Sequence, residues 1–349
     1  MIRKYKNNPI IKPDDIKNEN YELEVFGVFN PGATKYKDKI ILLLRVALKP
    51  REENGWIKVL IADKESDYKL KILKWKKRKS LRVESNDIRF IDINDQRYLS
   101  SLSVFYLAWS NDGLNFSFSE KPVFQPADDY EVFGIEDPRI TKINDNYFIT
   151  YTAVSENGFC AALASTKDFI SFDRIGIIFP PENKDVALFP KKINKKYYAL
   201  HRPTNSFIGK PSIWISESEN LIHWGNHRIL LTPLRKKWER MKIGAGPEPI
   251  LTEQGWLVLY HSCGDNEVYS MNAILLDRNL PDKIIGRTDQ PLLVPEFKYE
   301  KAGVVQNVVF SNGWISFGNK ILIYYGAADK YIALAEASIY SLISLIKRY

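Results

Sequence analysis

The sequence predicts an all-β fold, a five-bladed β-propeller with a short C-terminal helix, on three observations. Aromatic and branched residues fall in short alternating runs between turns of Asn, Asp, Gly and Lys; one hairpin pattern recurs five times; and helical periodicity is nearly absent before the last residues. With 45% hydrophobic and 26% charged residues, the 349-residue chain can bury a large core, and its composition is neither disordered nor fibrous.

The repeated unit is a loop, a strand, a polar turn and a strongly apolar strand. Its copies are NPGATKYKDKIILLLRVA from Asn30, EDPRITKINDNYFITYTA from Glu136, LFPKKINKKYYALHRP from Leu188, PEPILTEQGWLVLYHS from Pro247 and VFSNGWISFGNKILIYYGAAD from Val309. A second motif accompanies several copies: AWSNDGLNF from Ala108, ASTKDFISF from Ala164 and ISESENLIHW from Ile215. A hairpin plus an outer pair makes a four-stranded blade, and five such blades around an axis protect their edges. Residues 1–349 therefore read as a single catalytic domain. The first interval is roughly twice the others, so residues 49–100 must hold an insertion. The tail ASIYSLISLIKRY, from Ala337, has helical spacing and a basic end suited to a helix C-terminus.

Charge and cysteine usage narrow the function. The net charge is +8, but the basic residues are scattered, and the densest run, Lys71 to Arg82, mixes them with apolar side chains as a solvated hairpin does. No nucleic-acid partner is expected. Cys160 and Cys263 lie outside any metal-ligand spacing, so no metal is expected and a reducing compartment fits. The N-terminus lacks a signal-peptide core and no apolar run nears the ~18 residues that span a bilayer, so the expected location is cytoplasmic, with no membrane partner.

In a propeller the loops entering the innermost strands converge at one mouth. Those positions supply Asn30, Glu136, Asp137, Arg139, Phe189, Lys191, Lys242, Glu248 and Asn312, and the hairpin ends add Arg45, His201, Arg202, His261, Tyr325 and Asp329. Carboxylates, cations and aromatic rings together suit a sugar and an anion. Glycoside cleavage needs an acid for the leaving oxygen and a nucleophile on the opposite face, and Asp137 and Glu248 can form that pair with water as nucleophile. In a phosphorolytic reaction phosphate is the nucleophile, a cationic pocket replaces the second carboxylate, and Lys242 and His261 are its candidates. Purely structural roles compete: Asp137 can pair with Arg139, and His261 can be a satisfied core imidazole.

GIEDPRITKINDNYFITYTA, from Gly134, resembles the signature of glycoside hydrolase family 130, the mannoside phosphorylases and their mannosidase relatives. The resemblance continues through FNPGATKYKDKIILLLRVA from Phe29, ENKDVALFPKKINKKYYALHRP from Glu182, KIGAGPEPI from Lys242 and IYYGAAD from Ile323, and is weak over 49–98 and the tail. It implies a five-bladed propeller with its active site at the channel mouth and Asp137 as general acid, its proton relayed through a mannose hydroxyl. It further implies that Asn30 and Arg45 hold the mannose, that Asp329 meets its far hydroxyls, and that Lys242 and His261 bind phosphate. Glu136, Arg139, Arg202 and Tyr325 complete the expected substrate-binding set. The chain departs from the family in Glu156, where many phosphorylases carry arginine, and in Glu248 of GAGPEPI, and either glutamate is a candidate base for a hydrolase. YLSSLSVFYLAWSNDGLNF, from Tyr98, looks most like the branch acting on β-1,2-linked mannosides.

The expectation is an inverting phosphorylase that cleaves short β-mannosides, β-1,2-linked, with inorganic phosphate as co-substrate and no cofactor, releasing α-mannose 1-phosphate. An inverting β-1,2-mannosidase with a glutamate base, and a non-catalytic mannoside-binding propeller, are the alternatives. The expected partners are a small oligosaccharide and phosphate; a homo-oligomer is allowed.

Overall fold

The computed structural model describes residues 2–85, 87–204 and 208–349. It is built of antiparallel sheets, five of them large. The first contains Leu23–Tyr36, Lys39–Pro50, Leu102–Ser110 and Ser117–Phe118; the second, Gly134–Ile143, Asn146–Ser155, Gly158–Thr166 and Asp173–Phe179; the third, Asn183–Leu188, Tyr197–Pro203, Ile213–Ser218 and Gly225–Leu231. In the fourth, Lys242–Ala245 and Ile250–Thr252 both pair with Gly255–Cys263, followed by Tyr269–Leu276, Ile284–Thr288 and Ile346–Arg348. The fifth holds Val309–Phe317, Lys320–Ala327, Tyr331–Ser338 and, from the other end of the chain, Arg3–Lys4.

Burial explains why the second strand of each sheet is so apolar. Gly255–Cys263 is buried at every position, as is most of Lys39–Pro50, because both faces of these strands are covered. Five apolar cores do the covering. Leu43 and Phe105 of the first sheet pack with Ile135 and Tyr147 of the second, and Leu163 and Phe179 of the second with Leu188 and Ala199 of the third. Leu200 and Ile213 pack with Trp256 and Val258, Leu259 and Met271 with Val309 and Ile323, and Tyr324 and Leu334 of the fifth sheet with Leu42 and Val104 of the first. Tight turns connect the strands where the sequence places Asn, Asp and Lys: Asn94–Asp95 and Asn194–Lys195 both adopt positive φ at successive residues, the twist that suits a two-residue hairpin.

The innermost strands share an irregularity. Pairing slips between Phe29 and Gly32, Glu136 and Arg139, Lys184 and Ala187, and Phe310 and Gly313. In three of these bulges the extra residue is an Asx in left-handed conformation: Asn30 (φ 47°), Asp137 (φ 52°) and Asp185 (φ 57°). Short polar side chains tolerate that region, and a bulge re-aims them out of the pleat. The fourth sheet breaks its strand outright between Ala245 and Ile250.

The insertion expected within residues 49–100 consists of two small sheets: Trp56–Asp63 pairs with Lys69–Lys76, and Val83–Glu84, Phe90–Ile93 and Gln96–Leu99 form a three-stranded sheet. Leu60 and Ala62 join the core of the first sheet. The C-terminal helix is only Ile339–Ser344, with Ser338 Oγ accepting from the Ser341 amide at 3.2 Å. The basic end that suggested further helix is a strand, because the edge of Ile284–Thr288 offers it a ladder. Among the described residues no helix is long and apolar enough to cross a membrane.

Candidate active site

The three bulged Asx residues line one cavity of about 220 Å³. Asp137 lies on its wall, 6% exposed. Its Oδ1 accepts from Asn30 Nδ2 at 2.9 Å and Arg45 Nη1 at 2.8 Å. Arg45 donates through Nη2 to Glu136 Oε1 (2.7 Å) and through Nε to Ser103 Oγ (3.0 Å), with its guanidinium 4.5 Å from the Phe29 ring centre. Sequence separates these groups by about a hundred residues; the adjacency of the first and second sheets joins them. A Cβ on Gly326 would collide with the Asn30 side chain, so only glycine lets the fifth sheet approach here.

Burial disfavours the Asp137 carboxylate, yet Arg45, Lys184, the Asn30 amide and Arg139 outweigh it and hold its pKa below the usual value. In the free protein Asp137 is ionised. Asp329, also on the cavity wall in left-handed conformation (φ 50°), goes the other way. Burial, with Asp137 and Glu136 as like charges, pushes it up to about 6 against the pull of Arg45. Two carboxyls with pKa values driven apart is the arrangement expected of acid–base chemistry.

Opposite charge gathers around Asp185, which is 2% exposed. Its carboxylate takes Arg202 Nε at 2.6 Å and Arg139 Nη2 at 3.2 Å, with His261 Nε2 at 3.4 Å. Burial opposes its ionisation, but Arg202, His261, Arg139 and Lys184 keep it well below the usual carboxylate range. Burial lowers His261 to about 3 despite Asp185, so the imidazole is neutral at pH 7 and the two arginines carry the compensation. A Cβ on Gly244 would strike both Asp185 and His261. Lys242 Nζ stands 5.2 Å from the Tyr269 ring centre, its pKa lowered by burial, and among the described residues no carboxylate lies within ion-pair distance of it. Lys184 Nζ sits 4.4 Å from the Phe159 ring centre. The cavity thus has a carboxylate side around Arg45 and a cationic side of Lys184, Arg202 and Lys242.

Of the residues singled out from sequence, Asn30, Arg45, Glu136, Asp137, Arg202, Lys242, His261 and Asp329 line this cavity. Arg139 lies behind the wall, bonded to Asp185 and to the carbonyls of Ala245 and Gly246. Tyr325 is fully buried with its hydroxyl donating to Glu300 Oε1 at 2.8 Å, and Phe189 is core, edge-on to Trp256. Glu156 is exposed on the turn before Gly158–Thr166. Glu248 sits in the break of the fourth sheet, where burial raises its pKa well above normal and Oε2 lacks a partner among the described residues. Neither glutamate lines the cavity.

Sequence reasoning missed Asp185, Lys184, Arg89 and Phe90, all of which line it. A signal for Asp185 existed: it occupies the same bulge position as Asn30 and Asp137, but the third repeat, read from Leu188, begins after the bulge.

Buried neutral His261 gives a pH prediction. Unfolding returns its pKa to about 6.5, so its neutral state supports the fold above that pH and the support is lost as pH falls toward 3. Relative to His261→Gln, the wild type should lose roughly 1.4 kcal/mol of stability per pH unit between pH 6 and 4. Denaturant midpoints of the two proteins at pH 7, 6, 5 and 4 check this; parallel curves would refute it.

Comparison with known proteins agrees with this geometry. The family model of glycoside hydrolase family 130, described as beta-1,4-mannooligosaccharide phosphorylase, matches residues 97–348. Beta-1,2-mannobiose phosphorylase of Listeria innocua is 41% identical over 347 residues, covering 97% of this chain and 96% of that protein. 1,2-beta-oligomannan phosphorylase of a Thermoanaerobacter species is 40% identical over 242 residues, 68% of this chain and 79% of that protein. The structure of the Listeria innocua enzyme in complex with beta-1,2-mannobiose superimposes with a TM-score of 0.94 at 40% identity over 99% of both chains. The chain belongs to glycoside hydrolase family 130.

Proposed function

We propose that this protein is an inverting phosphorylase that cleaves short β-1,2-linked mannosides with inorganic phosphate. The observation that carries the reading is the cationic wall of Lys184, Arg202 and Lys242, where among the described residues Lys242 has no carboxylate within ion-pair distance and the carboxylate beside Arg202, Asp185, is held by Arg202 and Arg139 rather than free to activate water. Phosphate binds Lys242 and Arg202 beside neutral His261, charge-assisted contacts that a buried lysine and arginine make strongly. The mannose sits over Asn30, Arg45 and Asp329, and Glu136 steadies Arg45.

Phosphate oxygen attacks C1 from the face opposite the leaving oxygen, the C1–O bond breaks, and Asp137 supplies the proton that the leaving oxygen takes, by way of a mannose hydroxyl. The products are α-mannose 1-phosphate and a shortened sugar. Phosphate also prepares the acid. Lys184 is among the charges that keep Asp137 ionised, so a bound phosphate anion that neutralises this wall raises the Asp137 pKa toward the protonated form. Relatives named for phosphorolysis of β-1,2-mannosides support the choice of nucleophile and linkage.

The same reading arranges the five large sheets as blades of one propeller domain, since each apolar core joins one sheet to the next and the last joins the fifth to the first. The buried free thiols Cys160 and Cys263 suit the cytoplasm. Among the described residues no cluster of three His, Cys, Asp or Glu side chains could hold a metal, and phosphate is the only co-substrate the mechanism uses.

The test is mannobiose cleavage with and without phosphate. Mannose 1-phosphate formed only with phosphate supports the phosphorylase; free mannose regardless of phosphate makes this a hydrolase. Lys242→Ala should raise the phosphate KM by about a hundredfold, the worth of a charged hydrogen bond of roughly 3 kcal/mol, and an unchanged KM would remove Lys242 from the pocket.

A further inference from the structure

We propose that Glu300 is a positioning residue that sets the Asp329 carboxyl against the mannose, acting through residues 302–308. The inference rests on the placement of the mannose over Asp329 in the proposed function and adds the group that holds Asp329 there. Asp329 stands in a demanding turn. Ala328 (φ 51°) and Asp329 (φ 50°) are both left-handed, a conformation that an alanine keeps only where its surroundings hold it. The irregular stretch 302–308 does the holding: the Ala328 amide donates to Val308 O at 3.0 Å, and the Val305 amide donates to Ala328 O at 3.2 Å. A Cβ on Gly303 would strike Ala328 O, so the two backbones are in close contact. Val304, Val305 and Val308 line the cavity together with Asp329.

Glu300, in the helical turn Lys298–Lys301, anchors this stretch and is fully buried. Its Oε2 accepts from the amides of Glu296 at 2.7 Å and Phe297 at 2.8 Å and from Lys4 Nζ at 2.9 Å. Its Oε1 accepts from the Tyr325 hydroxyl at 2.8 Å. Lys4 comes from the N-terminal strand, and Tyr325 from Lys320–Ala327, the strand that ends beside Ala328. One carboxylate thus ties the stretch to the turn it supports, and the Val308 amide completes the tie by donating to Glu300 O at 3.0 Å. A buried carboxylate is costly compared with an apolar side chain of its size; what its bonds provide here is a single arrangement of the stretch. The Tyr269 amide donates to Asn307 O at 3.0 Å, a link to the fourth sheet that does not run through Glu300. A change at Glu300 therefore loosens the mannose side and leaves the phosphate side supported.

Full-length Glu300→Gln, Lys4→Met, Asp329→Asn and the two double variants with Asp329→Asn are assayed in phosphorolysis of β-1,2-mannobiose, with denaturant midpoints measured alongside. Glu300→Gln keeps the shape and loses the charge that holds Lys4. It should raise the mannobiose KM about tenfold with the phosphate KM within about threefold, and Lys4→Met should move the mannobiose KM the same way by about threefold. Because Glu300 acts through Asp329, either substitution should add less than about twofold in the Asp329→Asn background. A residue that only stabilises the fold would lower kcat through the folded fraction, leave both KM values unchanged and lower kcat equally in the double variant. That pattern, or effects on the mannobiose KM that multiply in the double variant, would overturn the inference. Should Glu300→Gln fail to fold, Lys4→Met and its double variant decide the same question. If the wild type released free mannose without phosphate, the phosphorylase reading would fall, while the same comparison of mannobiose KM values would still decide the role of Glu300.

Discussion

Asp137→Asn should lower kcat by about 10³-fold while leaving mannobiose affinity within a few-fold, because the amide keeps the shape and the hydrogen bonds to Asn30 and Arg45 but has no proton to give. Initial rates and calorimetric titration measure the two quantities separately. The sharper check is leaving-group dependence. A β-mannoside of an acidic phenol leaves as a stable anion and needs little protonation, so the variant should recover much of its rate on that substrate. If both substrates lost rate equally, Asp137 would be positioning the sugar rather than supplying a proton. A loss below about tenfold on mannobiose would dismiss it as the acid altogether.

Asp185→Asn should be the most destabilising substitution around the cavity. It removes the only carboxylate among the described residues that is bonded to Arg202 and Arg139, and leaves two buried guanidinium groups beside each other with an amide between them. Breaking a buried pair on one side costs about 3 kcal/mol or more, since the remaining charge stays desolvated. Denaturant unfolding should show that loss, with the phosphate KM raised because Arg202 is no longer held through its Nε. Excess phosphate should restore part of the stability by binding the folded state alone. A midpoint within about 1 kcal/mol of wild type would mean that water or a shift of Arg139 replaces the carboxylate.

These two residues also mark the boundary between what was readable in advance and what was not. Asp137 stands in a motif, E-D-P-R, whose neighbours carry a resemblance along most of the chain. Asp185 occupies the same position in its own sheet, but Val186 follows it instead of proline, and the recognisable part of its repeat starts three residues further on, at Leu188. A bulge leaves little trace in sequence, because the alternation of buried and exposed positions simply slips by one or two. Glu156 and Glu248 were equally plausible on paper. Only burial and position separated them from the cavity, Glu156 on an exposed turn and Glu248 in the break of a strand.

The sequence by itself determined the all-β class, the number of repeated hairpins, their polar turns, the presence of an insertion near residues 49–100 and most of the cavity's charged residues. Each of these is local information: a period of two, an Asx at a turn, a motif spanning a few residues. Tertiary structure alone decided which charges meet. Asn30 and Asp137 stand 107 residues apart and bond across two sheets, Arg139 reaches the carbonyl of Gly246 across another 107, and Arg89 crosses from the insertion to the mouth. It also turned the basic tail from helix into strand, because the open edge at Ile284–Thr288 offered backbone partners that helical spacing cannot reveal. Desolvation and neighbouring charge then push the Asp137, Asp185 and His261 pKa values down and that of Asp329 up, and both depend on packing that no local pattern encodes.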